Sequence, residues 1–389
     1  MHIKPRIEFH DNRFLMFVID EMAYEYEKEY NDVIRLTLGK SELPVCEGIT
    51  NAMVDAVTCF EKYSLVFPAG LPELREKIAE KYRERYRNGV SPKNVVVSVG
   101  TSSIFRNLFN LLLDGNGQVL LPLPYYPLYR FCALLVGAEV TYYRIDPETM
   151  ALDLESFEEN FTERTQLVVI NSPGNPFGNI LTRDDLHAID SIVNGRAPIV
   201  SDEIYGNICF DEEWTSVMEI SSPKSQSIVT DAFSKGYRMY SRRVGYCIVP
   251  DELVMPLTVV QHHTLLTTDP VPQFGALAAL DYPDEVERLC AIYKSRRDYT
   301  IERFEGVAGV RAIPAKGSFY LTLDCRAFSK KHGVLDCLEL ARAIMTRTHV
   351  ATVPGSDFGI PNTLRLSYSS SEYEEGIDRL VDFFANYGN

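Results

Sequence analysis

Between residues 95 and 233 the chain alternates short apolar runs with stretches of helical period. VVVSVG (95–100), GQVLLPLP (117–124), QLVVINSP (166–173), APIVSDEIY (197–205) and SIVTDAF (227–233) read as strands. TSSIFRNLFNLLLD (101–114) and LTRDDLHAIDSIVNG (181–195) read as helices, the second with Thr182 as cap and Gly195 as stop. YRFCALLVGA and EVTYYRI supply a further helix and strand between them. Strands that alternate with helices imply an α/β fold with a mostly parallel sheet covered on both faces. Ligands of such sheets collect at the carboxyl ends of the strands, where this chain keeps its Asn, Asp, Ser and Lys residues.

Upstream, MVDAVTCFEKY (53–63) has helical spacing, and LPELREKIAEKYRERYR (71–87) has it more clearly, with Leu74, Ile78 and Tyr82 on one face. After about residue 281 the texture changes. A long charged helix precedes AIPAKGSFYLTLD, a β pair around Lys316 and Gly317, and the chain closes on TLRLSYSS and a final helix. The expected division is a large domain over 45–280 and a smaller α+β domain from 1–44 and 281–389. The 389 residues suffice for two or three cores.

Charge and cysteine content narrow the classes. A formal net charge of −15 argues against a nucleic-acid partner, because a phosphate backbone requires a basic patch. No stretch approaches the length of an uncharged membrane span, and the N-terminal apolar run is broken by Asp20 and Glu21, which argues against a signal peptide. Eight cysteines are scattered without a CxxC pair, a pattern that suits reduced thiols in a cytoplasm. The histidines lack ligand spacing, so no metal site is expected.

Four stretches carry chemistry. NSPGNPFG (171–178) is a rigid turn after an apolar strand; Asn175 can present its amide to a bound ring, or the turn simply ends the strand. In VSDEIYGN (200–207), Asp202 and Tyr205 are either a cap and a packed ring or a carboxylate set opposite a ring nitrogen. VGTSSIF (99–105) puts hydroxyls at a strand-to-helix junction, an anion site or an ordinary cap, with neither a P-loop nor a GxGxxG pattern. DAFSKGYRMYSRRVGY (231–246) is a basic surface loop or a Schiff-base lysine followed by a phosphate-holding arginine. In order along one sheet, with the aromatic segment PLPYYPLY, these pieces make up a site for pyridoxal phosphate.

The chain resembles the class I/II aminotransferases of the fold-type-I pyridoxal-phosphate enzymes. The pattern Asn-x-Pro-x-Asn-Pro-x-Gly is matched by Asn171, Pro173, Asn175, Pro176 and Gly178; Asp-x-x-Tyr by Asp202 and Tyr205; Ser-Lys by Ser234 and Lys235; and Arg-x-Gly-Tyr by Arg243, Gly245 and Tyr246. The resemblance implies that Lys235 forms the Schiff base and moves the proton, that Asp202 pairs with the pyridine nitrogen, and that Asn175 and Tyr205 hold the ring hydroxyl. It assigns phosphate binding to Thr101, Ser102 and Arg243, with Ser234 among the cofactor-binding groups. Tyr126 aligns with the aromatic that stacks on the ring, with Tyr125 as the alternative register. Tyr63 resembles a tyrosine that reaches the phosphate of a neighbouring subunit, which implies a homodimer. Arg365 in TLRLSYS stands where relatives bind the substrate α-carboxylate, and Gly39 in LGKSELP lets the backbone approach substrate. Arg238 and Arg242 match no role and read as surface charge.

The implied activity is ping-pong transfer of the α-amino group of an L-amino acid to a 2-oxo acid. The alternative is a lyase, cyclase, decarboxylase or oxidase on the same site. Three departures bear on this: Ala232 stands where many relatives have a second serine, Ser241 replaces a glycine, and GKSELP replaces Gly-Glu-Pro-Asp. They point to a specialised biosynthetic member.

Overall fold

The computed structural model describes residues 14–86, 89–220 and 223–387. Residues 1–13 of the expected smaller domain and Arg87 of the expected 71–87 helix lie outside them. Seven strands form one sheet, in spatial order Val95–Ser98, Gly245–Ile248, Ser227–Ala232, Ile199–Asp202, Thr165–Asn171, Gln118–Leu123 and Glu139–Arg144. Every neighbouring pair is parallel except the two that involve Gly245–Ile248, which runs against the rest. The strands Thr165–Asn171 and Ile199–Asp202 are buried along almost their whole length, as two covered faces require.

The helices follow from local sequence. Pro72 opens the helix Pro72–Tyr86, which buries Leu74, Ile78 and Tyr82 on one stripe. Thr182 caps Arg183–Val193 in a reciprocal capping box with Asp185. That helix ends one residue before the expected stop, on Asn194 in the left-handed conformation, with Gly195 following at φ +77°. The expected 53–63 helix is two helices, Glu47–Thr58 and Phe60–Tyr63, because Cys59 is extended and turns the chain between them.

A second, four-stranded antiparallel sheet has the order Val353–Pro354, Thr363–Ser367, Tyr320–Asp324, Arg311–Ile313. Its core takes in Ile19 and Ala23 of the helix Leu15–Tyr26, Leu340 and Ile344 of Cys337–Thr348, and Ile377 and Leu380 of the last helix. The two sheets meet at the NSPGNPFG turn. The carbonyl of Gly178 accepts from the amides of Lys316 (2.9 Å) and Gly317 (3.0 Å), and the Thr322 hydroxyl donates to the Pro176 carbonyl at 3.1 Å. Gly178 has φ +69°, and a Cβ there would lie 2.4 Å from the Gly317 carbonyl oxygen. Both backbone strain and a clash therefore oppose any side chain. Gly178→Ala is expected to lower the thermal unfolding midpoint, with a loss of about 2 kcal/mol or more; differential scanning calorimetry checks it.

Candidate active site

The polar ends of the sheet converge on one cleft. Thr101 and Ser102 follow the strand Val95–Ser98, Tyr126 follows Gln118–Leu123, Asn175 follows Thr165–Asn171, Asp202 and Tyr205 end Ile199–Asp202, and Ser234 and Lys235 follow Ser227–Ala232. Because Gly245–Ile248 runs antiparallel, the residues before it lie at the same edge, and Arg243 joins the set. Sheet register brings the groups level: Asn171 pairs with Asp202, and Asp202 with Thr230.

Asp202 is 4% exposed, and burial pushes its carboxyl up to about 6 against the pull of its hydrogen bonds. The Tyr129 hydroxyl donates to Oδ2 at 2.5 Å, while the Ile204 amide and Thr230 hydroxyl approach Oδ1 at 3.4 Å. Asn171 donates to the Asp202 carbonyl at 3.0 Å and accepts from the Asn175 amide at 2.9 Å, so one side chain ties the Asn175 turn to the Asp202 strand.

The Lys235 ammonium group donates to the Gly39 carbonyl at 2.8 Å and is ringed by Phe319 (4.9 Å), Tyr240 (5.2 Å) and Tyr205 (6.0 Å). Burial pulls its pKa down to about 7, with the Arg365 and Arg243 guanidiniums acting in the same direction and Asp202 opposing them. A Cβ on Gly39 would lie 2.8 Å from the Lys235 nitrogen and 2.7 Å from the Tyr320 hydroxyl, so a side chain there would displace the tips of both.

Opposite Asp202, the helix Thr101–Leu112 turns its amino end to the cleft. Gly100 (φ +87°) and Arg243 (φ +57°) are both left-handed, and the guanidinium rests so closely on Gly100 that a Cβ there would meet Nη2 at 2.4 Å. Ser103 braces the turn, bonding the Gly100 carbonyl (2.9 Å) and Ser98 (2.7 Å). A cation, a helix amino terminus and the hydroxyls of Thr101, Ser102 and Ser234 make an anion cradle. Ala232, on the strand below, adds no hydroxyl.

Arg365 is 3% exposed on Thr363–Ser367, opposite Thr322. Its guanidinium lies 4.0 Å above the Tyr320 ring, donating to Asn175 Oδ1 (3.2 Å) and the Thr37 carbonyl (2.8 Å). Its Nε has no partner among the described residues.

Tyr126 lines the cleft, whereas Tyr125 stacks on Tyr142 at 5.3 Å outside it. Tyr63 is not brought to the cleft: it is 46% exposed and packs edge-on against Phe60 at 5.4 Å. Arg238 is not surface charge. Its side chain is 8% exposed and paired with Glu285 of the long helix Pro283–Phe304, because its φ of +58° turns it inward. Arg242 is exposed. Sequence reasoning missed Tyr129, Asn171 as a brace, and Tyr320. Tyr129 lies three residues after Tyr126, one turn into the helix that Tyr126 precedes, and their rings meet at 5.6 Å; that spacing was its signal. Tyr320 lies two residues before Thr322, on the strand face shared with Arg365, which only sheet register reveals.

The profile of the family Aminotransferase class I and II matches residues 31–384. The chain belongs to this family. It is 31% identical over 373 residues to an aspartate aminotransferase of Bacillus sp. strain YM-2, covering 94% of this chain and 95% of that one. It is 32% identical over 371 residues to a probable aspartate/prephenate aminotransferase of Aquifex aeolicus, covering 93% of each. Among solved structures it is similar to a mutant Thermus thermophilus aspartate aminotransferase, with TM-score 0.87, 28% identity and 99% of both chains covered. An alanine aminotransferase from Pyrococcus furiosus superposes with TM-score 0.88 at 26% identity, covering 96% of this chain and 97% of that one. The chain is thus an aminotransferase, and its family and fold depend on pyridoxal phosphate.

Tyr129→Phe removes a hydrogen bond that holds Asp202 ionised. The acidic limb of kcat/KM is expected to move to higher pH by up to about one unit. An unmoved pH profile would leave Tyr129 a packing role alone.

Proposed function

We propose that the cleft around Lys235 carries out ping-pong transamination between an L-amino acid and a 2-oxo acid. The observation that carries this reading is convergence: an anion cradle, a buried carboxylate and the buried Arg365 guanidinium surround one amine whose pKa is drawn to about 7. The donor set fits pyridoxal phosphate. Gly100 has no Cβ to push the Arg243 guanidinium out of the cradle, and Asp202 offers a carboxylate at the buried end.

When bound, pyridoxal phosphate supplies a protonated ring that draws electron density from the substrate α-carbon. Asp202 would keep that ring proton in place by accepting from the ring nitrogen, with Tyr129 holding the acceptor oxygen. Thr101, Ser102, Ser234 and Arg243 would bind the phosphate, Tyr126 would cover a ring face, and Asn175 and Tyr205 would bond the ring oxygen. Arg365 would take the substrate α-carboxylate, with Asn175 and the Gly39 backbone beside it. Lys235 would hold the cofactor at rest and then, as a free amine in an apolar surround, take the α-proton and return it to the cofactor.

The active unit in this reading is a homodimer, with Tyr63 reaching the partner's phosphate. Support comes from an exposed apolar face around it: Val54, Val57, Phe60 and Val66 are each more than half exposed. Leu266, just past the end of the helix Asp251–Leu265, lies beside it, where the Thr267 hydroxyl donates to the Phe67 carbonyl. We also propose the two-domain division at residues 44/45 and 280/281, and a cytoplasmic site of action, in keeping with eight free thiols. No helix among the described residues is long and apolar enough to cross a membrane.

Anaerobic titration of the purified enzyme with single amino acids, without oxo acid, tests the activity. The visible cofactor band is expected to bleach stoichiometrically to the amine form, and Lys235→Ala to abolish this. A band that persists while product accumulates would instead mean a lyase or cyclase. The depressed pKa has a definite sign: the amine is protonated below about 7 and free above it. Cofactor attachment to the apoprotein is therefore expected to speed up as pH rises through about 7, because only the neutral amine is a nucleophile; stopped-flow absorbance follows it. Phe60→Glu is expected to yield monomers of greatly reduced activity, read by sedimentation velocity beside turnover.

A further inference from the structure

A second cavity lies close to the catalytic strands and shares no lining residue with the catalytic cleft. Neighbours in the chain serve different cavities: Asp202 lines the cleft, and Glu203 lines this recess together with Asp231. The helix Pro72–Tyr86 closes it with its last turns, presenting Lys81 and Arg85 one turn apart. The recess is narrow at Lys81 and opens past Asn207 into a wider surface cleft walled by Trp214 and Tyr86, with Glu213 and Glu219, the latter paired with Arg183, at its outer side.

The two carboxylates are already committed within the chain. Glu203 accepts from the hydroxyls of Ser201 (3.0 Å) and Ser216 (2.8 Å) and from the Val217 amide (3.1 Å). Burial pushes its carboxyl up to about 8, so it adds little negative charge at neutral pH. Asp231 accepts from the Tyr246 hydroxyl at 2.7 Å and from the Ala232 amide at 2.6 Å.

The two cations are not committed. Arg85 makes no ion pair among the described residues; it donates one bond, at 3.2 Å, to the side-chain carbonyl of Asn207. Its guanidinium lies 5.3 Å from the Tyr86 ring and 5.4 Å from the Trp214 ring. Lys81 has neither a hydrogen-bond nor an ion-pair partner among the described residues, although it lies in the field of Asp231. Lys81 is half-buried, and desolvation pulls its pKa down; a charged acceptor in the recess would favour its ammonium form.

We propose that this recess binds a small organic carboxylate, its carboxylate group held between Arg85 and Lys81 and its apolar body against Trp214 and Tyr86. A guanidinium and an ammonium one helical turn apart suit a carboxylate, and the aromatic walls select a hydrocarbon body over a hydrated inorganic ion. The site is coupled to the catalytic loop by one bond. The Trp214 indole N–H donates at 2.8 Å to the carbonyl of Ser172, in the turn that carries Asn175.

Trp214 is the chain's single tryptophan, so all tryptophan emission arises at this site, and Arg365→Lys separates binding here from binding in the catalytic cleft. The holoenzyme is titrated with phenylacetate, which has no amino group to donate. A saturable change in tryptophan emission is expected, persisting in Arg365→Lys and weakened at least about tenfold in Arg85→Gln. Arg85 is exposed, and its replacement is expected to leave turnover unchanged. Lys81→Met is expected to abolish the change, with circular dichroism to check its fold; should it not fold, Arg85→Gln carries the test. An absent signal overturns the proposal, as does one lost in Arg365→Lys and kept in Arg85→Gln. The same change with inorganic phosphate or chloride at equal concentration also overturns it.

Discussion

A carboxylate buried in the middle of a sheet edge is the constraint on which the rest of the site depends. Asp202 cannot remain charged there unless donors surround it, because burial alone drives it toward the neutral form. The fold answers from three directions. Tyr129 donates from the helix Pro127–Val136, Thr230 from the neighbouring strand, and the Ile204 amide from the turn beyond. Each donor is fixed by register or by helical spacing, so moving a strand by one residue would remove it and turn Asp202 to the other face. The strands' near-continuous burial is what makes such a slip costly.

The same low-dielectric surround acts in the opposite sense on Lys235. Burial and two guanidiniums lower its pKa, and only Asp202 opposes them. The two groups therefore depend on one environment: apolar enough to free an amine near neutrality, and polar enough at one end to keep a carboxylate charged. Phe319 and Tyr205 supply the first condition beside Lys235, and the donors on Asp202 supply the second.

Much of this was legible before any coordinates. Strand-ending polar residues were visible as breaks in apolar runs, and parallel connections set those breaks along one edge, so Thr101, Asn175, Asp202 and Lys235 could be grouped from the linear sequence. What could not be read depended on distant pairing. Nothing local in VGYCIV announces that Gly245–Ile248 runs antiparallel, yet that reversal is what carries Arg243 to the cradle. Arg238 looked like surface charge because its partner, Glu285, is 47 residues away. Tyr320 acquires its position over the Arg365 guanidinium from cross-strand register. Tyr63 is partly exposed and does not line its own chain's cleft, and no pattern within one chain says what, if anything, it meets.

Arg365 shows how a site can be assembled and still incomplete. Its guanidinium is held by Asn175 of the large-sheet loop and by the Thr37 carbonyl, and it lies flat on Tyr320. Those contacts fix its plane but leave the Nε–H without an acceptor among the described residues, in a buried setting. A buried donor left unpaired costs about 1–3 kcal/mol. A planar carboxylate presented to Nε would remove that cost with two parallel bonds, which neither a single carbonyl nor a hydroxyl can do. The residue that binds Arg365 is also the residue that would meet the cofactor ring oxygen, since Asn175 belongs to both sets. In the proposed reading, a carboxylate at the guanidinium would act on Asn175 through one 3.2 Å contact, and so on the group that would hold the ring.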